Sequence, residues 1–417
     1  MKAPPPAHRR ILLPLGLAVC LSLFGDLTLY AVLPGQRQTV GLSLAAVGVM
    51  LGANRLIRIP GNPLVGLAYD RLGRRRLFLL GMSFAVLSTL GYGFVSGFLP
   101  YLLTRLMWGA AWTLINVGGL AMLHDLSTVD NRGQLSGAYN GWILGGFAVG
   151  PLMGGVLVDL IGFRALMRIY AATTAVGWLI AVVWLPETHR RRSDRDPRPN
   201  ACRSRQSVWS GLDQLVQRAR RALRREPRLP DLLLLTLLFQ FAGEGVALST
   251  FNLLLEQRFG HTLNVGTITL GIASVSGVLA ALRSVTAGAI GPLAGRLTDR
   301  RQERTSALAV SMAVGIGGFL LLALTESLTA IVSGILLSAL SAGVGMAALS
   351  ATLGDMTTEE QRGILVGTYA TAGDCGSAAG PLLAYALASV VPLTWAYGIC
   401  ALAFGAGLIL LRRTSSR

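Results

Sequence analysis

A chain of 417 residues that is 52% hydrophobic and only 14% charged is too apolar for a water-soluble domain, where charged residues make up about a quarter. Its mean hydropathy of +0.57 points to a surface that largely faces something other than water. The net charge of +17 does not describe a nucleic-acid binder, because the arginines cluster between hydrophobic runs that are themselves nearly bare.

The first run, 11–34, follows Lys2, Arg9 and Arg10. It is longer than a cleaved leader and is followed by more of its kind, so it reads as an uncleaved span. Further runs follow at 43–69, 77–97, 99–123, 135–160 and 165–185, and after a polar stretch at 231–255, 266–298, 305–325, 328–352, 362–388 and 392–411. Each is long enough to cross about 30 Å of hydrocarbon. A bilayer offers backbone groups no water, so each must be a helix. The sequence therefore predicts an all-α membrane protein of twelve transmembrane helices in two six-helix bundles, 1–186 and 231–417, joined by an Arg-rich linker, 187–230.

That linker holds 13 arginines against five acids. Its first part has the composition of a disordered segment. From Val208 to Arg225, Leu212, Leu215, Val216, Ala219 and Leu223 recur at helical spacing. This predicts an amphipathic helix, lying either on anionic lipids or in solvent. Arg71, Arg74, Arg75, Arg76, Arg300, Arg301 and Arg304 fall on one side and the opposite loops are nearly uncharged. Both termini are therefore expected in the cytoplasm. Cys20, Cys202, Cys375 and Cys400 have no metal-ligand spacing, so neither a metal site nor a disulfide frame is expected.

The two halves repeat. PLVGLAYDR at 63–71 is matched by PLAGRLTDR at 292–300, an offset of 229. Arg132-Gly133 and Gly150-Pro151 are matched by Arg362-Gly363 and Gly380-Pro381, an offset of 230. Such duplication predicts a parallel pseudo-two-fold relation, with a binding site near the midplane where the halves meet.

The segment from Gly66 through Asp70, Arg71, Gly73 and Arg74 to Arg76 resembles the signature between the second and third spans of the major facilitator superfamily. The resemblance implies a conformational latch formed by Gly66, Asp70, Arg71, Gly73 and Arg74, with the aspartate near the N-terminus of span eleven. A weaker symmetric latch would use Gly295, Asp299 and Arg300. Arg105-Leu-Met-Trp-Gly109 resembles the fourth-span motif of proton-coupled members, although the family favours glutamine where Trp108 stands. Gly146, Gly150, Pro151, Gly154 and Gly155 resemble the fifth-span motif of drug:proton antiporters, which implies export in exchange for protons. Its spaced glycines clear one helix face, and Pro151 removes a backbone donor.

Ionisable residues inside spans are functional candidates. Asp26, Glu244, Asp374 and Arg105 are the candidates for proton coupling. Withdrawal from water favours the neutral form of a carboxyl, and a nearby guanidinium favours the ionised form. Cargo that displaces such an arginine therefore moves a proton. Asn54, Arg55, Arg58 and Arg283 are cavity candidates, with Tyr30, Trp112, Tyr139, Trp142 and Tyr369 as aromatic walls; Arg55 and Arg58 are spaced to share one helix face. No catalytic set, metal-ligand cluster or phosphate loop is present in the sequence, so an enzyme is not expected. The expectation is a monomeric secondary transporter in a bacterial cytoplasmic membrane, driven by the proton gradient without a cofactor. Its partners would be a small-molecule substrate, protons and lipid, with no nucleic acid. Two alternatives remain: carriage of an anionic metabolite on Arg55 and Arg58, and a non-transport sensor on the same scaffold.

Overall fold

The computed structural model of the protein describes residues 6–128, 131–188, 217, 226–265, 268–297, 301–356 and 362–415. Apart from Gln217, the linker helix expected at 208–225 lies outside the described residues. So do Asp299 and Arg300 and the side chains of Asp70 and Arg71, and with them the central groups of both expected latches.

The first half of the chain forms α1 (Pro6–Val32), α2 (Leu44–Leu72), α3 (Arg74–Tyr92), α4 (Phe98–Leu126), α5 (Arg132–Ile161) and α6 (Phe163–Trp184). The second half forms α7 (Leu229–Phe259), α8 (Ile272–Leu297), α9 (Arg301–Leu324), α10 (Leu328–Met356), α11 (Arg362–Ala388) and α12 (Thr394–Ser415). Among the described residues, nine of these helices are long and apolar enough to cross a membrane. The other three are α2, α3 and α11. Two of those, α2 and α11, carry Arg55, Arg58 and Asp374, which lowers their apolar content and places them around a polar interior. Lipid-facing positions are left bare: Leu160, Val183, Leu324 and Leu402 are 67–77% exposed, as expected where hydrocarbon rather than water covers the surface.

The glycine-rich helix α5 seats α1 and α8 on different faces. A Cβ at Gly146 would lie 3.0 Å from Leu23, and one at Gly150 would lie 2.9 Å from the Phe24 backbone. Gly154 meets Thr28 of α1, while Gly155 meets Ala273 and Gly277 of α8. The hydroxyls of Thr28 and Tyr170 both donate to the Gly150 carbonyl, at 2.8 and 2.9 Å. In the second half, Gly376 and Gly380 of α11 bring that helix against α7, and Gly48 and Gly52 of α2 bring it against Pro381 and Ala378. Each of α5 and α11 thus packs on the first helix of its own half and the second helix of the other.

The end of the bundle away from the termini is closed. Asn252 accepts from the Gly35 amide at 2.8 Å, Arg37 pairs with Glu256 at 2.9 Å, and Asp159 accepts from the Ser274 amide and hydroxyl at 2.8 and 2.5 Å. Each of these contacts joins the two halves. A β-hairpin, β1 (Thr262–Val265) and β2 (Ile268–Gly271), caps this end, where the hydropathy of 266–298 predicts the start of a span. Toward the termini, a Cβ at Gly66, Gly133, Gly137, Gly141 or Gly367 would meet nothing within 4 Å among the described residues, so the described parts of the halves stand apart there. Close packing at Gly66, implied by the latch motif, is not made with any described residue. The α2–α3 turn is shaped by Gly73 and capped by Glu187. Gly73 takes φ of 87°, a conformation that side chains resist, and Glu187 accepts from the first two amides of α3 at 2.9 and 3.1 Å.

Gly277→Val in α8 would collide with the Pro151 carbonyl. Overpacking of this kind costs about 1–3 kcal/mol, so a lower melting temperature in lipid nanodiscs is expected, with the closed end loosened. Gly317→Ala, at a position with open space, should leave the melting temperature unchanged.

Candidate functional site

Three clusters of ionisable groups lie within the long helices, and each joins two or more of them. In the first, Arg105 of α4 is wholly buried and its Nη1 donates to Asp26 of α1 at 2.5 Å. Its Nε donates to the Met50 carbonyl of α2 at 2.8 Å, and Nη1 also reaches the Tyr92 hydroxyl of α3 at 3.4 Å. The guanidinium stands 5.8 and 5.9 Å from the ring centres of Tyr30 and Tyr92, within reach of a cation–π contact. A cation in an apolar layer persists only with such compensation. The partner that Arg105 requires on sequence grounds is Asp26.

The second and third clusters cross between halves. Arg55 of α2 lies 3.6 Å from Glu244 of α7, whose other oxygen accepts from Arg283 Nη1 of α8 at 3.2 Å. One turn further along α2, Arg58 pairs with Asp374 of α11 at 3.1 Å, and Asn62 donates to the same carboxylate at 3.5 Å. Arg55 and Arg58 thus serve two different acids. Glu244 sits inside a seven-residue π-helical segment, Phe241–Ala247, that interrupts α7. Such wide turns are uncommon and favour functional positions. Gly243 and Gly245 on either side of Glu244 relieve crowding, and Gly245 approaches Gly380 of α11 closely.

A cavity of about 660 Å³ opens beside Glu244 and Arg283, walled by Asn140 of α5, Phe239 and Gln240 of α7, Met346 of α10 and Tyr369 of α11. Of the aromatic candidates, Tyr369 lines it. Tyr30 and Tyr139 are buried in the first half, with Tyr139 against Gly119, Trp142 packs on Gly16 of α1, and Trp112 lies against the apolar core. Asn54 is buried next to the Tyr30 hydroxyl at 3.3 Å. Asn140, Gln240 and Met346 were not singled out by sequence; the visible signal was a lone amide within an apolar run at each of the first two. Among the described residues, no group of three or more His, Cys, Asp or Glu is placed to hold a metal ion.

Removing one partner of the innermost pair leaves a buried charge without compensation. Asp26→Asn should destabilise the protein by roughly 3–5 kcal/mol, read as a large drop in melting temperature in nanodiscs. The double change Asp26→Asn with Arg105→Met should recover much of the loss.

The chain matches the family model for the Major Facilitator Superfamily over residues 15–285 and 273–417. It is 25% identical to the class B tetracycline resistance protein of Escherichia coli over 341 residues, 81% of this chain and 77% of that protein. It is 25% identical to Multidrug resistance protein 2 of Bacillus subtilis over 167 residues, covering 39% and 42%. Several curated relatives match only in part, the chain spanning 33% to 42% of their length. Among solved structures, the human organic anion transporter MFSD10 superposes with a TM-score of 0.70 at 21% identity, over 98% of this chain and all of that one; at that identity the likeness concerns the fold. With motifs, packing and family model in agreement, the chain belongs to the Major Facilitator Superfamily.

Proposed function

We propose that the protein is a secondary active transporter that exports small amphipathic molecules by alternating access, coupled to proton movement. The observation that carries this reading is Glu244, which lines the cavity while held by Arg55 from one half and Arg283 from the other. A change in the separation of the halves changes the number of cations on that carboxylate, and with it the balance between its ionised and protonated forms. Binding at one site and rearrangement of the halves are thereby linked, as coupled transport requires.

The reading includes twelve membrane crossings, with α2, α3 and α11 among them, and two bundles, 1–186 and 231–417, related by a pseudo-two-fold axis. The equivalent packing of α5 and α11 and the internal sequence repeat support this. Both termini lie in the cytoplasm of a bacterial cell, with the linker on the same side, and the conformation described is the inward-open one. The α5 glycines and the tetracycline and multidrug resistance relatives support export and an amphipathic cargo. Asp70, with Asp299 as its weaker counterpart, acts as the latch of the outward-open state, a role supported by the motif and its repeat.

Reconstitution into proteoliposomes with an imposed pH gradient tests the reading, using ethidium and fluorescein as cationic and anionic probes. Gradient-driven movement of one of them is expected, with proton flux abolished in Glu244→Gln while the protein remains folded. Transport indifferent to the gradient would sink proton coupling. Coupling undiminished in folded Glu244→Gln would take the proton away from Glu244.

A further inference from the structure

We propose that Arg283 is the anchor for an oxyanion on the transported molecule, and that the cargo is an organic anion, a carboxylate carried on an apolar body. The inference rests on the reading that the cavity is the transport site, and it adds the charge class of the cargo and the residue that recognises it.

The first ground is charge balance. Around the cavity and the α2–α11 contact, three guanidiniums, Arg55, Arg58 and Arg283, face two carboxylates, Glu244 and Asp374. The neighbouring Asp26–Arg105 pair is neutral in itself. One positive charge is left over among the described residues, in a layer where uncompensated charge is costly. Both acids already have arginine partners, so a cationic cargo would have to displace an arginine and enlarge the surplus. An anionic cargo removes it.

The second ground locates the surplus. Arg283 is 2% exposed and donates to Glu244 through Nη1, yet its Nε and Nη2 are buried with no hydrogen-bond partner. Those two N–H groups lie on one edge of the planar guanidinium, the edge that takes a carboxylate in a two-pronged bond. Buried donors of an ion are seldom left unsatisfied. Nη2 abuts Gly243, a cavity-wall residue, where even a Cβ would lie only 3.1 Å away. Gly243 carries no side chain to occupy the space beside Nη2. Phe239, Met346 and Tyr369, with Ala287 and Ala347 between them, supply the apolar face for the rest of the molecule. Arg55 and Arg58, the anion sites expected from sequence, stand 3.6 and 3.1 Å from Glu244 and Asp374; Arg58 has one buried unpartnered donor, Nε, where Arg283 has two on a single edge.

Thermal shift on the full chain in nanodiscs tests this with three probes of one shape: 4-phenylbutyrate, 4-phenylbutanamide and 4-phenylbutylamine. The carboxylate should raise the melting temperature in a concentration-dependent way, and the amide and amine should not. Arg283→Lys keeps the positive charge beside Glu244 but lacks the fork, and should weaken the carboxylate by roughly tenfold or more; Arg283→Gln should remove its effect. Gly243→Ala should also weaken it, through an unchanged arginine. Stabilisation by the amine equal to or greater than that by the carboxylate, no response to any carboxylate, or a carboxylate response undiminished in Arg283→Lys would overturn the inference. Proton-driven movement of ethidium together with amine selectivity would remove the anion site and leave the transporter standing. Carboxylate binding that depends on Arg283, without gradient-driven transport, would do the reverse.

Discussion

Charge has no place in hydrocarbon unless another charge answers it, and this molecule is organised around that requirement. Asp26, Glu244 and Asp374 are each met by an arginine from a different helix. The pairs differ in what they join. Asp26 and Arg105 tie four helices of the first half together and include one member sealed from every solvent. Arg55 and Arg58 reach out of that half to acids of the other. The first arrangement ties helices within one half, and the second ties one half to the other. Of the pairs of the second kind, the one at Glu244 borders the cavity.

The packing of small residues decides where motion is possible. At the closed end, helix backbones meet through Gly155 and Gly277 and through Gly48 and Pro381, with side chains too small to hold them apart. Such contacts can be made and broken without repacking bulky groups, since little interdigitates across them. Asp159 on Ser274 and Asn252 on Gly35 add directional bonds that fix this end when it is shut. The same helices diverge toward the termini, so closure at one end and separation at the other are two aspects of one tilt.

Much of this was legible in the sequence, because hydrophobic run length is dictated by bilayer thickness and the repeat places α5 opposite α11. The mid-span charges stood out against bare surroundings. Which acid meets which arginine was not legible: Arg55 and Arg58 look alike on one helix face, and only the angle between α2, α7 and α11 sends them to different carboxylates. The hairpin at 262–271 was hidden because Val265, Ile268 and Leu270 prolong the apolar run, although Thr262-Leu263-Asn264-Val265 alternates with the two-residue period of a strand. Of the five aromatic candidates, Tyr369 is among the residues lining the cavity beside Glu244, and the others are placed elsewhere for another reason. Tyr30, Tyr139 and Trp142 sit in spans that do border the centre, but a ring on a helix has several inner faces to choose from, and three of them fill gaps against Gly16, Gly119 and Arg105.

The π-helical stretch in α7 sets the two halves apart despite their common plan, for α1 runs through the corresponding depth as regular α-helix. A widened turn holds one residue more than its neighbours and can migrate along a helix by swapping hydrogen bonds one at a time. Each such step swings the residues it passes by about 100° around the axis, the angle per residue of an ordinary helix. One step of that kind at Phe241–Ala247 would turn Glu244 toward a different neighbour, an option that the regular helix around Asp26 does not offer.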